Sequence, residues 1–320
     1  KVVEVLFKQG KLDDQQRVIF KEVDRSYQRQ KKLPTEFVQE LARVTSAGHH
    51  KWSEARQKSD YKIFLPFLKK IVELKKQEAE YVGFKGSAYD ALLDAYEPDL
   101  TTDQLDQKFK PLKQFLIPFI QRIKKSKHKY TDRAIMGKFD LATQKHFLNQ
   151  LAKQLGYDYQ TGRLDTSAHP FTINFHPEDV RITTRFDTRD LQFAMMSTIH
   201  EIGHAFYEQG LPVEHFGTPL SESISLGIHE SQSRIWENQI GRSLNFWKYF
   251  YPLLKKYFPK PFKLVLLNDF YKAINTVKTS LIRTESDEVT YNLHIIIRYE
   301  LEKDLIEGKE VGLEDLKGKA

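Results

Sequence analysis

No cysteine occurs in the 320 residues. That excludes a disulfide scaffold, a thiolate-ligated zinc or iron–sulfur centre and thiol catalysis, and it fits a reducing, cytoplasmic setting. No run approaches the roughly 18 uninterrupted apolar residues that a membrane span requires, so no membrane partner is expected. The opening stretch KVVEVLFKQGKLDDQQ carries charges throughout and has no small-residue cleavage site, so it does not read as a signal peptide. The first residue is Lys1 rather than Met, and the chain reads as trimmed there. Lys plus Arg outnumber Asp plus Glu by only 50 to 43, a net charge of +7. No Cys/His finger or RNA-binding aromatic motif focuses that charge, so nucleic acid is not an expected partner. The densest basic run, Lys124, Lys125, Lys127, His128 and Lys129, reads as the solvated end of a helix. Repeats, low-complexity tracts and Gly/Ser/Pro linkers are also missing. That points to one domain over residues 1–320, with an N-terminal helical subdomain over residues 1–130 as the only subdivision.

What is present is mostly helix. Hydrophobic residues make up 40% of the chain, enough to build a large core without staples. Pro34 opens a segment with Phe37, Leu41, Val44 and Ala47 at helical spacing. A second helix follows, with Pro66 in its first turn, and stops near Gly83. Short helices are expected at Thr102–Phe109 and Gln114–Lys125, and another at Asp140–Leu155 ended by Gly156. The stretch HPFTINFHPEDVRITTRFD then alternates instead. Phe171, Ile173 and Phe175 share one strand face, and Val180, Ile182 and Thr184 share one face of the next, with His176-Pro177-Glu178 as the turn. Helices resume at Arg189–Gln209, Ser221–Arg242, Tyr249–Tyr257, Lys263–Val277 and Ser280–Glu307. The expected class is mainly α, a large helical domain with a small hairpin or sheet.

One segment carries chemistry. MMSTIHEIGHAFYEQG contains HEIGH, an H-E-x-x-H match, on a helix whose apolar Phe193, Met196, Ile199, Ala205 and Phe206 imply burial. Asp187 or Thr188 could cap its start, and Gly210 with Pro212 could end it. His200 and His204 are one turn apart on one face and could share a zinc ion at ~2.0–2.1 Å. Glu201 points slightly aside, where its carboxylate could take a proton from a metal-activated water. Two buried histidines flanking a buried carboxylate are costly unless something pairs them, and a divalent cation is the simplest partner. A metzincin would place His at position 210; Gly210 excludes that class. A third ligand could then come from Glu222 or Glu230, eight residues apart on the following helix, which Ser221 could cap. Spacing alone does not choose between them.

At this point the sequence resembles the carboxypeptidase Taq family of HExxH metallocarboxypeptidases. Beyond HEIGH, the family's HPF is matched at His169–Phe171 and its D-x-R-x-T at Asp179–Thr183. HES at His229–Ser231 is the family's third-ligand motif, which implies Glu230 as ligand. I-R-x-x-A-D appears as Ile282–Asp287 with Ser286 in place of Ala. HHKWSEARQKSDY and YDALLDAYEP also resemble the family. Its C-terminal G-x-x-Q-D-x-H-W does not occur before Ala320, so truncation is expected at this end too. The resemblance implies a divalent metal, most simply zinc with cobalt or manganese as alternatives, a peptide substrate and a homodimer.

The residues agree with an exopeptidase acting on C-termini. Asp179, Arg181 and Thr183 share a polar strand face beside the metal helix, where an extended peptide could pair; a solvated hairpin face is the plain alternative. In the last helix Arg283, Asp287, Tyr291 and His294 recur as a polar stripe. A free carboxylate is best met by an arginine fork. By resemblance Arg283 is the leading candidate and Arg181 the second, with His169 and Tyr291 among the substrate-binding residues. His229, Tyr291 and His294 are candidates for stabilising an oxyanion. Alternatives are an oligopeptidase with the same metal site, or an inactive helical fragment that only binds peptide or a partner chain.

Overall fold

Caps and glycines set most of the helix limits in the computed structural model, which describes residues 10, 12–128 and 130–309. Residues 1–9 and Lys11 of the opening stretch, which does not read as a signal peptide, and Lys129 of the basic run lie outside the described residues. The chain separates into two compact units, residues 1–114 with 293–320, and residues 115–292.

In the first unit, α1 (Asp14–Gln30) begins at an Asp13/Gln16 capping box. Helix α2 (Thr35–Lys58) follows Pro34, and α3 (Leu65–Val82) carries Pro66 in its first turn and stops at Gly83, whose φ is 81°. A short α4 (Ala88–Leu93) is capped by Ser87. Phe37, Val44 and Leu74 form the small core between α2 and α3. The last helix, α11 (Tyr291–Ile306), contributes Tyr299, whose hydroxyl donates to Asp106 at 2.7 Å.

The second unit is built around one helix, α7 (Leu191–Gln209). Met195, Ile199 and Ile202 are fully buried, and they belong to the same core as Leu148 and Leu151 of α6 (Leu141–Leu155), Trp247 and Leu254 of α9 (Leu244–Tyr257), Phe270 of α10 (Leu267–Ile274), and the strand residues Val180 and Ile182. A helix apolar on most of its circumference can only be a central one. The sheet has three strands in the order β1-β3-β2. Strand β1 (Gly162–Thr166) runs parallel to β3 (Asp179–Thr184), with Leu164 opposite Ile182; β2 (Thr172–His176) is antiparallel to β3 and bulges between Asn174 and His176. The expected class, mainly α with a small sheet, is the one observed.

Several local expectations differ from the outcome. Helix α5 (Thr102–Lys125) continues through Pro111 and Pro118, where two short helices were expected. Burial of Leu116 and Ile120 holds its second half against the cost of ~3 kcal/mol for an interior proline. Strand β1 was not anticipated, because GRLDT is too short and polar to show a period. The apolar face of β2 points outward: Phe171, Ile173 and Phe175 are 47%, 41% and 57% exposed. Helix α7 is capped by Asp190, which accepts from the Phe193 amide, rather than by Asp187 or Thr188. The stretch expected as one helix from Ser221 is a 3-10 turn at Pro219–Ser221, then α8 (Leu226–Arg234) capped by Ser225, then a π-helical turn at Ile235–Ile240. The last helix starts at Tyr291 and not at Ser280. Asp287 instead caps it, accepting from Val289 N, Thr290 N and Thr290 Oγ1. Among the described residues no helix is long and apolar enough to cross a membrane.

Candidate metal centre

His200 and His204 project from α7 with ring centroids 4.9 Å apart, as a one-turn separation requires. Glu230 reaches them from α8. Its Oε2 lies 3.2 Å from His204 Nε2 and 3.6 Å from His200 Nε2. Among the described residues these three side chains form the group able to hold a metal ion, with ligand atoms all within 4.8 Å of one another. Glu222, the other candidate, ends the 3-10 turn in an extended conformation and is not in this group.

The donor set fits a divalent ion. Tetrahedral bonds of ~2.0–2.2 Å place ligand atoms about 3.3–3.6 Å apart, close to both distances above. Two imidazoles and one carboxylate suit zinc, and cobalt or manganese would be accepted by the same donors. The tautomer is also appropriate: His200 Nδ1 is 2.9 Å from Glu237 Oε2, so its N–H donates there and the Nε2 lone pair faces Glu230 and His204. His204 Nδ1 is buried without a hydrogen-bond partner. That ring is held by stacking on His229, at 4.5 Å and 16°.

A layer of charge surrounds these three side chains. Arg234 donates through Nε to Glu230 Oε1 at 3.0 Å and through Nη1 to Glu237 Oε2 at 3.0 Å. Arg242, itself buried, reaches Glu237 Oε1 at 3.4 Å. Burial alone would push the Glu230 carboxyl up, but the His204 hydrogen bond and the charges of His200, Arg234 and His204 hold it at about 2. Burial also opposes ionisation of Glu237, yet His200, Arg234 and Arg242 keep its pKa below the ordinary value. For His200 burial works downward, but the Glu237 bond and nearby carboxylates outweigh it and raise the pKa.

Glu201, 6% exposed, accepts from Thr172 Oγ1 of β2 at 2.6 Å. Its neighbour along the strand, Asn174, donates to Glu208 Oε2 at 2.6 Å, and Glu208 Oε1 is 2.7 Å from His229 Nε2. The polar face of β2 therefore lies against α7, which is why its aromatic face is left outside. His229, an oxyanion candidate, has that nitrogen engaged by Glu208.

The other sequence candidates are placed less closely together. Arg181 and Asp179 form a two-point ion pair at 2.7 Å on the exposed side of β3, with the guanidinium 5.1 Å over Phe175. Thr183 is buried, its Oγ1 2.7 Å from Ser167 Oγ and accepting from Phe171 N at 3.0 Å. His169 is exposed, with Nδ1 2.9 Å from the Pro170 carbonyl. Arg283 donates to the Tyr291 hydroxyl. The Tyr291 ring in turn lies 3.7 Å from the Arg234 guanidinium carbon, and Arg234 binds Glu230. Arg283, Tyr291, Arg234 and Glu230 thus form a continuous chain of contacts.

Sequence reading did not find Thr172, Arg234 or Glu237. A signal existed for the last two: Arg234 is four residues and Glu237 seven residues after Glu230, repeats that return to one helix face. Thr172 carried no such signal, since its partner lies on a distant segment.

A family model described as the carboxypeptidase Taq (M32) metallopeptidase matches residues 2–318. Carboxypeptidase 1 of Bacillus subtilis is 43% identical over 292 residues, 91% of this chain and 58% of that protein. Thermostable carboxypeptidase 1 of Thermus thermophilus is 44% identical over 301 residues, again 91% of this chain and 58% of that protein. The structure of Pyrococcus furiosus carboxypeptidase superimposes with a TM-score of 0.92 at 38% identity, covering 99% of this chain and 64% of that one. The chain thus spans less than two thirds of the length of each of these relatives.

Proposed function

Since the chain belongs to the carboxypeptidase Taq (M32) metallopeptidase family, we propose that it is a metal-dependent carboxypeptidase that releases C-terminal amino acids from peptides. The observation that carries the reading is the convergence of His200, His204 and Glu230 beside Glu201. The ion is zinc in this reading, with cobalt or manganese as functional substitutes. When bound, it supplies Lewis acidity to the scissile carbonyl and makes a water acidic enough to attack at neutral pH. Glu201 accepts the proton of the attacking water and hands it to the departing amine. Thr172 holds the Glu201 carboxylate through the 2.6 Å hydrogen bond. Glu237 fixes the ring of His200, and Arg234 the carboxylate of Glu230.

Arg283 grips the substrate α-carboxylate. Its link through Tyr291 and Arg234 to Glu230 favours it over Arg181, whose fork is already occupied by Asp179. His169, Asp179, Arg181 and Thr183 are assigned to the path of the peptide backbone. The protein is read as a cytoplasmic homodimer, the first on its cysteine-free composition and the second on its resemblance to the family.

The test offers metal-loaded protein pairs of peptides with free and amidated C-termini. Release of single residues from the free ends alone is expected, abolished by a chelator and restored by added metal. Cleavage of internal bonds or of amidated peptides would replace this reading by an oligopeptidase. Bound metal without turnover would replace it by a peptide-binding fragment of the same fold.

A further inference from the structure

Glu230 offers two oxygens, and they are treated differently. Oε2 faces the histidines at 3.2 and 3.6 Å. Oε1 is taken by Arg234 Nε at 3.0 Å. The same guanidinium spends Nη1 on Glu237 Oε2, which also receives His200 Nδ1, and on Asn238 Oδ1 at 3.3 Å. Its flat face lies against Tyr291, 3.7 Å from the ring. Arg234 is thus fixed on three sides, and its fork spans the partner of one metal ligand and the carboxylate of another. A lysine ammonium is a point charge and lacks the planar fork that bridges the two carboxylates. Glu237 lies three residues after Arg234, within ordinary reach of the fork along the helix.

We infer that Arg234 is a positioning residue that keeps Oε1 of Glu230 away from the metal, so that the ion meets a single carboxylate oxygen and retains room for water and substrate. A carboxylate with both oxygens free tends to close on a cation through both. Losing the guanidinium would then raise the coordination number by one and fill a position the reaction needs.

The inference rests on the metal reading above, and cobalt(II) tests both. Visible absorption of cobalt(II) weakens as its coordination number rises, and this readout does not depend on turnover. The parent protein, R234Q and R234K are loaded with cobalt(II), and affinity is measured by competition with a chelator, with far-ultraviolet circular dichroism as the check on folding. Both variants are expected to show weaker visible bands than the parent with affinity no lower, since Glu230 gains a second bond to the ion and loses the guanidinium beside it. Lys keeps the stem and the charge, so R234K carries the test should R234Q fail to fold. Parent-like spectra in the variants would overturn the inference, as would full recovery of the spectrum by Lys, which would make the charge alone sufficient. A parent protein that takes up no cobalt(II) would instead sink the metal reading and this inference together.

Discussion

Gly203 of α7 lies so close to Ser233 of α8 that a Cβ on it would stand 2.6 Å from the Ser233 Cα and 2.8 Å from the Gln232 carbonyl oxygen. No side chain fits there. The glycine inside HEIGH is therefore what lets α8 approach near enough for Glu230 to join His200 and His204. Gly203→Ala should force the helices apart, with an overpacking cost of about 1–3 kcal/mol and a matching fall in metal affinity. Denaturant unfolding and a metal titration check both. An alanine variant with parent stability and affinity would show that the close approach is not needed.

Glu201→Gln keeps the size and burial of the side chain and removes its basicity. Metal content should stay at the parent level while turnover falls by about 10²–10⁴-fold, the usual worth of a general base. Elemental analysis beside a peptide-release assay separates the two quantities. Turnover at the parent rate would assign the base elsewhere.

Arg283→Gln should reduce kcat/KM for peptides with free C-termini by about 10–100-fold, the worth of a charge-assisted hydrogen bond. Metal content should not change. Arg181→Gln should do much less, because that guanidinium is already satisfied by Asp179. If Arg181 proved the more damaging of the two, the carboxylate would be recognised on the strand side.

Metal binding should be visible in stability. An ion that binds only the folded chain adds about 2.7 kcal/mol when its concentration is 100 times Kd. The thermal midpoint should therefore climb with added zinc and drop on chelation. His204→Ala should abolish the dependence, since it removes one of the three donors. A midpoint indifferent to metal would contradict the assignment of the centre.

Alkaline pH should destabilise the protein. Burial pushes the phenol of Tyr251 from 10.0 up to about 12, and its hydroxyl donates to the Val265 carbonyl. Tyr159 is pushed up to about 12 in the same way. The folded state thus favours the protonated ring. The stabilisation is complete below pH 10.0 and is lost as pH rises toward about 12, because the unfolded chain ionises first. Urea midpoints across that interval, with tyrosinate absorbance alongside, should show the decline. Tyr251→Phe should flatten part of it. Stability unchanged from pH 10.0 to about 12 would be inconsistent with these buried phenols.

Several features were readable because they are local. Gly156 stops α6 with a φ of 104° in a conformation glycine tolerates best, and Asp140 caps the same helix by accepting from Thr143 N. His200 and His204 share a face because 3.6 residues make a turn. Other features depended on a partner far along the chain. The alternation of β2 was legible, but the direction of its faces was not. The three residues Phe171, Ile173 and Phe175 share one face, but it is Thr172 and Asn174 on the other that turn inward, because Glu201 and Glu208 of α7 offer them acceptors. Likewise two helices with a gap around Pro111 were expected, whereas α5 runs unbroken from Thr102 to Lys125, with Leu116 and Ile120 buried.

The sequence by itself determined the helical class, the spacing of the two imidazoles and the carboxylate between them, since each follows from backbone geometry within a few residues. Spacing left Glu230 and Glu222 open and the HES motif favoured Glu230; the tertiary structure brings Glu230 to those imidazoles, and it alone decided that Thr172 holds Glu201 and that Arg234 and Glu237 bind Glu230 and His200. Those outcomes turn on how closely two helices and a strand approach one another. That distance is set by side-chain volume at contacts such as Gly203 against Ser233, between segments whose periodicities carry no information about each other.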